Sequence, residues 1–125
     1  MMRVKELLDS IEHDVDTVSP DETVYDALAL MAKKEIGALV VVEKGKMVGI
    51  ISERDYARKV ILEGKSSKET LVREIMTSDV IHASPDQRVG KCLSLMTKKR
   101  IRHMPVLEED RLVGLLTIEE IKGKM

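Results

Sequence analysis

The amino-acid sequence predicts an α/β (α+β) fold built from two copies of one β-α-β-β-α unit. Three observations predict it. The chain repeats itself without a gap at an offset of 65 residues, with 15 identities in the 42 positions that pair 15–56 with 80–121. Each copy opens on Ser-Pro-Asp and a Glu or Gln, followed by a helical stripe of apolar residues. Each copy then carries two apolar runs of strand length, separated by a short polar turn.

The elements follow in order. A short extended piece begins each copy, Val15 to Val18 and Val80 to Ala83. Ser19-Pro20-Asp21-Glu22 has the form of a capping box, with Ser19 at the N-cap, Pro20 at the first helical position and Glu22 reaching back. Ser84-Pro85-Asp86-Gln87 repeats it. The helices that follow put Val24, Ala27, Leu28 and Met31 on one face, and Val89, Cys92, Leu93 and Met96 on the equivalent face. Both end on basic residues, Lys33-Lys34 and Lys98-Lys99-Arg100, which suits the helix dipole.

Ala38 to Glu43 is a nearly continuous apolar run, the pattern of a strand covered on both faces. It turns at Lys44-Gly45-Lys46 into a strand over Met47 to Ile51, as Met104 to Glu108 turns at Glu109-Asp110 into Arg111 to Leu116. Ser52 and Thr117 then stand as N-caps, each with a carboxylate three residues on, Asp55 and Glu120. The first of these helices is expected to reach about Leu62, and the second is short. A fainter echo precedes each copy: Val4-Lys5-Glu6-Leu7-Leu8 resembles Val72-Arg73-Glu74-Ile75-Met76. The boundaries read from this pattern are a first repeat with its N-terminal helix over 1–62, a polar linker over 63–70 and a second repeat over 71–125. Each half is too small to cover its own sheet well, so the two are expected to pack sheet to sheet with pseudo-symmetric clefts at their joint.

Composition narrows the function. The formal net charge of −1 argues against a broad nucleic-acid footprint. The only aromatics are two tyrosines, so an adenine ring would have to lie between aliphatic side chains. The single cysteine, Cys92, excludes an intrachain disulfide, and its place on an apolar helix face reads as buried filler. No apolar run reaches the roughly 18 residues of a membrane span. The charges near the N-terminus do not fit a signal peptide, so a cytoplasmic protein without membrane attachment is expected. His13, His82 and His103 lack close metal-ligand spacing, and no P-loop, GxGxxG or GxSxG sequence occurs.

At this point the residues resemble a known family. Val15-Asp16-Thr17-Val18-Ser19-Pro20, Gly37-Ala38-Leu39-Val40-Val41-Val42 and Gly49-Ile50-Ile51-Ser52-Glu53-Arg54-Asp55 resemble successive motifs of the CBS domain, named after cystathionine beta-synthase. Arg102-His103-Met104-Pro105-Val106 and Gly114-Leu115-Leu116-Thr117 repeat them. The resemblance implies a Bateman module, a regulatory pair of repeats without enzyme activity of its own. It implies an adenosine-containing ligand in the cleft between repeats: AMP, ADP or ATP foremost, with S-adenosylmethionine or an NAD-type ligand within the family's range. No required cofactor is implied. A homodimer built through the helices and a separate effector protein are the implied partners.

The resemblance also implies roles. Asp55 would accept hydrogen bonds from the ribose hydroxyls, with Ser52 and Arg54 near the phosphate; the chemistry fits, since a carboxylate can accept from a vicinal diol. The plainer reading is that Ser52 and Asp55 only cap a helix, and the two roles can coexist. Arg102 and His103 would reach phosphates, Arg through a bidentate pair and His103 if protonated; the plainer reading is a solvated basic strand entry. Thr17 would offer a hydroxyl, and Ile36, Ala38 and Val40 would wall the adenine, although aliphatic strand residues also serve as core; Pro105, in the motif with Arg102 and His103, is also expected among the ligand-binding residues. Thr117 and Glu120 are the second copy's counterparts of Ser52 and Asp55. There Glu119 replaces Arg54 and two adjacent carboxylates repel a phosphate, so the first cleft is expected to bind nucleotide better than the second. The competing readings are a ligand-free homodimeric interaction scaffold and nucleic-acid binding through Lys98-Lys99-Arg100 and Arg102.

Overall fold

The structure is a computed structural model that describes residues 2–11 and 15–124. His13, one of the histidines weighed above as a metal ligand, lies outside the described residues. The elements are α1 (Val4–Asp9), β1 (Thr17–Val18), α2 (Val24–Lys34), β2 (Ala38–Glu43), β3 (Lys46–Ser52), α3 (Glu53–Tyr56), α4 (Val72–Ile75), α5 (Val89–Lys99), β4 (His103–Glu108), β5 (Arg111–Thr117) and α6 (Ile118–Lys124). After α3 the helix widens into a π turn over Ala57–Ile61. The order is the one the repeat predicts, except that no strand forms over Val80 to Ala83. Among the described residues, no helix is long and apolar enough to cross a membrane.

The chain divides into two compact units, Asp16–Val80 and Met1–Val15 with Ile81–Met125. The first holds a three-stranded sheet in the order β1-β2-β3, with β1 parallel and β3 antiparallel to β2. The central strand explains its own sequence. Leu39 and Val41 face a core of Val18, Val24, Ala27, Met31, Ile51, Val60, Val72 and Ile75. Ala38 and Val40, on the opposite face, are equally buried. The second unit has the antiparallel pair β4-β5, with Met104, Val106 and Leu116 in a core that also takes Val4, Leu7, Ala83, Val89, Cys92, Met96 and Ile121. The extended piece expected over Val80 to Ala83 is reduced there to a single parallel bridge, Ala83 to Val106. In each hairpin the two turn residues have positive φ: Lys44 at 53° and Gly45 at 80°, Glu109 at 52° and Asp110 at 67°. Such turns match the twist of the flanking strands.

The compact units do not follow the boundaries 1–62, 63–70 and 71–125. The N-terminal helix α1 packs in the compact unit that holds β4 and β5, and α4 packs in the unit that holds β1 to β3. Backbone pairing is the reason. Val72 N donates to Glu22 O and Arg73 N to Pro20 O, both at 2.9 Å, and Val24 N donates to Thr70 O at 2.8 Å. In the other unit Val4 N donates to Gln87 O at 2.8 Å, Lys5 N to Pro85 O at 2.9 Å and Val89 N to Met2 O at 3.0 Å. Each echo segment therefore docks on a Ser-Pro-Asp turn, and it does so with the same set of bonds in both units.

The same pairing corrects the start of α2. The helix begins at Val24, not Pro20, and its N-cap is Thr23, whose hydroxyl accepts from Asp26 N at 3.1 Å. The reciprocal bond expected of the box is present, Ser19 N to Glu22 Oε2 at 3.2 Å. It closes only an isolated turn, because the carbonyls of Pro20 and Glu22 serve the docked segment instead of a continuing helix. The second copy behaves alike, with Ser84 N donating to Gln87 Oε1 at 3.0 Å and α5 starting at Val89.

Candidate functional site

In the first unit, strand register and helix start bring the predicted residues together. Thr17 lies opposite Val40 across β1 and β2, and Ala38 lies opposite Ser52 across β2 and β3. Ser52 then caps α3. Its hydroxyl accepts from Asp55 N at 3.2 Å, while Asp55 Oδ2 accepts from Ser52 N at 3.0 Å and from Ser52 Oγ at 3.1 Å. Glu53 N donates to Gly37 O at 3.0 Å, which ties the helix start to the residue before β2. Thr17 and Arg54 are exposed, and Ile36 is half-buried.

Asp55 is the centre of this arrangement, and only 8% of it is exposed. A carboxylate so covered needs partners for both oxygens. Oδ2 has Ser52. Oδ1 pairs with Lys59 Nζ at 3.0 Å and accepts from Thr77 Oγ1 at 3.3 Å. Lys59 also donates to the carbonyl of Ile75 at 2.8 Å. The capping role of Ser52 and Asp55 is thus present in full.

The second unit repeats the cap with a longer acid. Thr117 N and Oγ1 donate to Glu120 Oε1 at 3.3 and 2.9 Å, and Glu120 N donates to Thr117 Oγ1 at 3.1 Å. His103 lies opposite Thr117 in the hairpin, and Pro105 opposite Leu115. Burial holds the His103 imidazole below its ordinary pKa and the charge of Arg102 adds to this, against a smaller raising influence from Glu120. His103 is therefore neutral at pH 7, and it can supply charge to an anion only after being protonated at a cost. Arg102 forms an ion pair with Glu119, both side chains being more than half exposed. The acid that replaces Arg54 thus partners the cation expected to meet a phosphate, although so exposed a pair contributes little stability.

Two repeats with the same cap, the same hairpin register and the same docked helix match one family in particular. The family model for the CBS domain covers residues 4–62 and 72–125. The chain belongs to the CBS domain family. It is 44% identical over 106 residues to the CBS domain-containing protein CBSX3, mitochondrial, of Arabidopsis thaliana, covering 81% of this chain and 52% of that protein. It therefore spans about half the length of that relative. Among solved structures, it is similar to a protein with CBS domains from Burkholderia ambifaria, at a TM-score of 0.93 and 44% identity over 98% of this chain and 93% of that one. It is also similar to the hexameric CBS-CP12 protein from bloom-forming cyanobacteria, at a TM-score of 0.83 and 29% identity over 99% of this chain and 71% of that one.

Within this pair of CBS repeats, the sequence did not point to Lys59 or Thr77. Lys59 carried a signal that could have found it, since it stands four residues after Asp55 on a helix, the spacing of an ion pair. Thr77 carried none. It reaches Asp55 because the segment after α4 runs extended beside β3, where Thr77 N donates to Ile50 O at 2.8 Å and Ile50 N to Thr77 O at 2.9 Å. No local pattern announces a contact spanning 22 residues.

Proposed function

We propose that this CBS domain pair is a regulatory module that binds an adenosine-containing ligand, AMP, ADP or ATP foremost, and that the first repeat holds it. The observation that carries the reading is the placing of Ser52 and Asp55 at the start of a helix, beside Lys59 and Arg54. There a carboxylate suited to a sugar diol stands close to cations suited to a phosphate. Thr17, Ile36, Ala38 and Val40 supply a hydroxyl and aliphatic surface from the neighbouring strands. In the second repeat, Arg102 is drawn to Glu119 and His103 is kept neutral, which supports weaker binding of an anion there. S-adenosylmethionine and NAD-type ligands share the adenosine half and so belong in the same test. Regulation requires only that the ligand bind one arrangement of the protein better than another.

Isothermal titration calorimetry of the whole chain with AMP, ADP and ATP is the test. One dominant site is expected, with Asp55→Asn weakening it by about 1.5–3 kcal/mol, roughly 10- to 150-fold. A full-strength site in Asp55→Asn would overturn the assignment.

A second reading is favoured by a different observation. Ile61 and Leu62 are 55% and 75% exposed at the end of the same helix, and Asp55 already has partners for both oxygens. Those features fit a ligand-free scaffold that self-associates through apolar helix ends, and a hexameric relative exists. No thermal shift with any adenosine ligand, together with a dimer or larger species in solution, would favour this scaffold.

A further inference from the structure

A carboxylate offers about four acceptor positions. At Asp55 all four are taken: Ser52 N and Ser52 Oγ on Oδ2, Lys59 Nζ and Thr77 Oγ1 on Oδ1. A sugar diol can reach this carboxylate only if a present donor leaves, and the four donors are not equally replaceable. The Ser52 N bond is one half of the capping box of α3, and the Ser52 hydroxyl is held beside Oδ2 by the other half, in which it accepts from Asp55 N at 3.2 Å. Lys59 is anchored twice, on Asp55 and on the carbonyl of Ile75 at 2.8 Å. Thr77 makes the longest of the four bonds, at 3.3 Å, and it is a neutral donor on an exposed residue. Its hydroxyl can turn to water on leaving, so the loss is small.

We propose that Thr77 competes with the ligand for Asp55, so that a ribose hydroxyl enters as the Thr77 hydroxyl leaves, and that Thr77 thereby sets the affinity of this site. The inference rests on the reading that Asp55 holds the ligand, and it adds a residue and a consequence. Thr77 is bonded through its own amide and carbonyl to Ile50, and it lies three residues before Val80, where this compact unit ends. A ligand that draws the Thr77 side chain off Asp55 also weakens the hold on the segment that runs on to Ile81. Ligand occupancy is in this way coupled to the segment connecting the two units.

The test compares Thr77→Val, which keeps the branched shape and loses the hydroxyl, with Thr77→Ser, which keeps the hydroxyl. Calorimetry with AMP on the whole chain should show Thr77→Val binding about five- to tenfold tighter than wild type, the equivalent of one weak hydrogen bond, and Thr77→Ser binding like wild type. Hydrogen exchange of the Thr77 amide in wild type should speed up when AMP saturates. If wild type binds AMP through Asp55 while Thr77→Val binds no tighter and the Thr77 amide is unchanged, the competition is wrong and the ligand site stands. If Asp55→Asn binds AMP as wild type does, or if neither wild type nor Thr77→Val binds it, the ligand site fails and takes the competition with it. Binding by Thr77→Val alone would support the competition in its strongest form.

Discussion

The carbonyl oxygen of Thr77 lies 2.8 Å from the point where a Cβ on Gly49 would stand, and Met76 Sδ lies equally close. The equivalent point on Gly114 is met by the side chain of Leu8, its Cδ2 at 2.6 Å. Two glycines at matching places in the repeats thus receive the two echo segments. They differ in what would have to move: backbone held by two hydrogen bonds at Gly49, the end of one side chain at Gly114.

That difference is measurable. Gly49→Ala should destabilise by about 2–3 kcal/mol, because the Ile50–Thr77 pair must shift, and Gly114→Ala by about 1 kcal/mol, because Leu8 can change rotamer. Urea unfolding of the two variants checks the order. Equal losses would mean that the Thr77 backbone is not fixed against β3.

The exchange of helices between sequence repeats predicts where an N-terminal substitution acts. Leu7 is fully buried in the core of the unit that contains β4 and β5. Leu7→Ala should cost about 2–5 kcal/mol. Hydrogen exchange should then rise first at amides of β4 and β5, leaving β2 and β3 protected. Loss of protection in β2 and β3 instead would return α1 to the unit that holds those strands.

Helix capping offers a third check. Thr23→Ala removes the acceptor for Asp26 N and should cost about 1 kcal/mol. Ser19→Ala removes only a bond within an exposed turn, to Asp21 N at 3.2 Å, and should cost about half as much or less. Thermal unfolding of the pair reports which residue begins α2.

The pH dependence turns on His103. Its pKa in the folded chain lies below the ordinary 6.5, through burial and then Arg102, so the fold favours the neutral ring. The contribution is complete above pH 6.5 and is lost as pH falls from there towards the folded value, because the unfolded chain takes up the proton first. The melting temperature should therefore fall over that window, and His103→Gln should flatten the fall. A bound nucleotide phosphate would act in the opposite sense, raising the imidazole pKa, so that affinity at the second repeat should increase on acidification. An unaltered pH profile in His103→Gln would remove this role.

The sequence by itself determined most of the element order, the hairpins and the helix-start caps at Ser52 and Thr117, because these depend on residues a few positions apart. Its 65-residue repeat also determined that the hairpin and its flanking helices occur twice. The capping box at Ser52 and Asp55 was legible for the same reason: donor, acceptor and helix start all lie within four residues. Only the tertiary structure decided that α1 packs in the unit that holds β4 and β5, that Pro20 and Glu22 give their carbonyls to a docked segment instead of to α2, and that Thr77 shares Asp55 with Lys59. Each of these is a contact between residues far apart in the chain. It is set by which buried surfaces and backbone groups find partners, and no local periodicity records that choice.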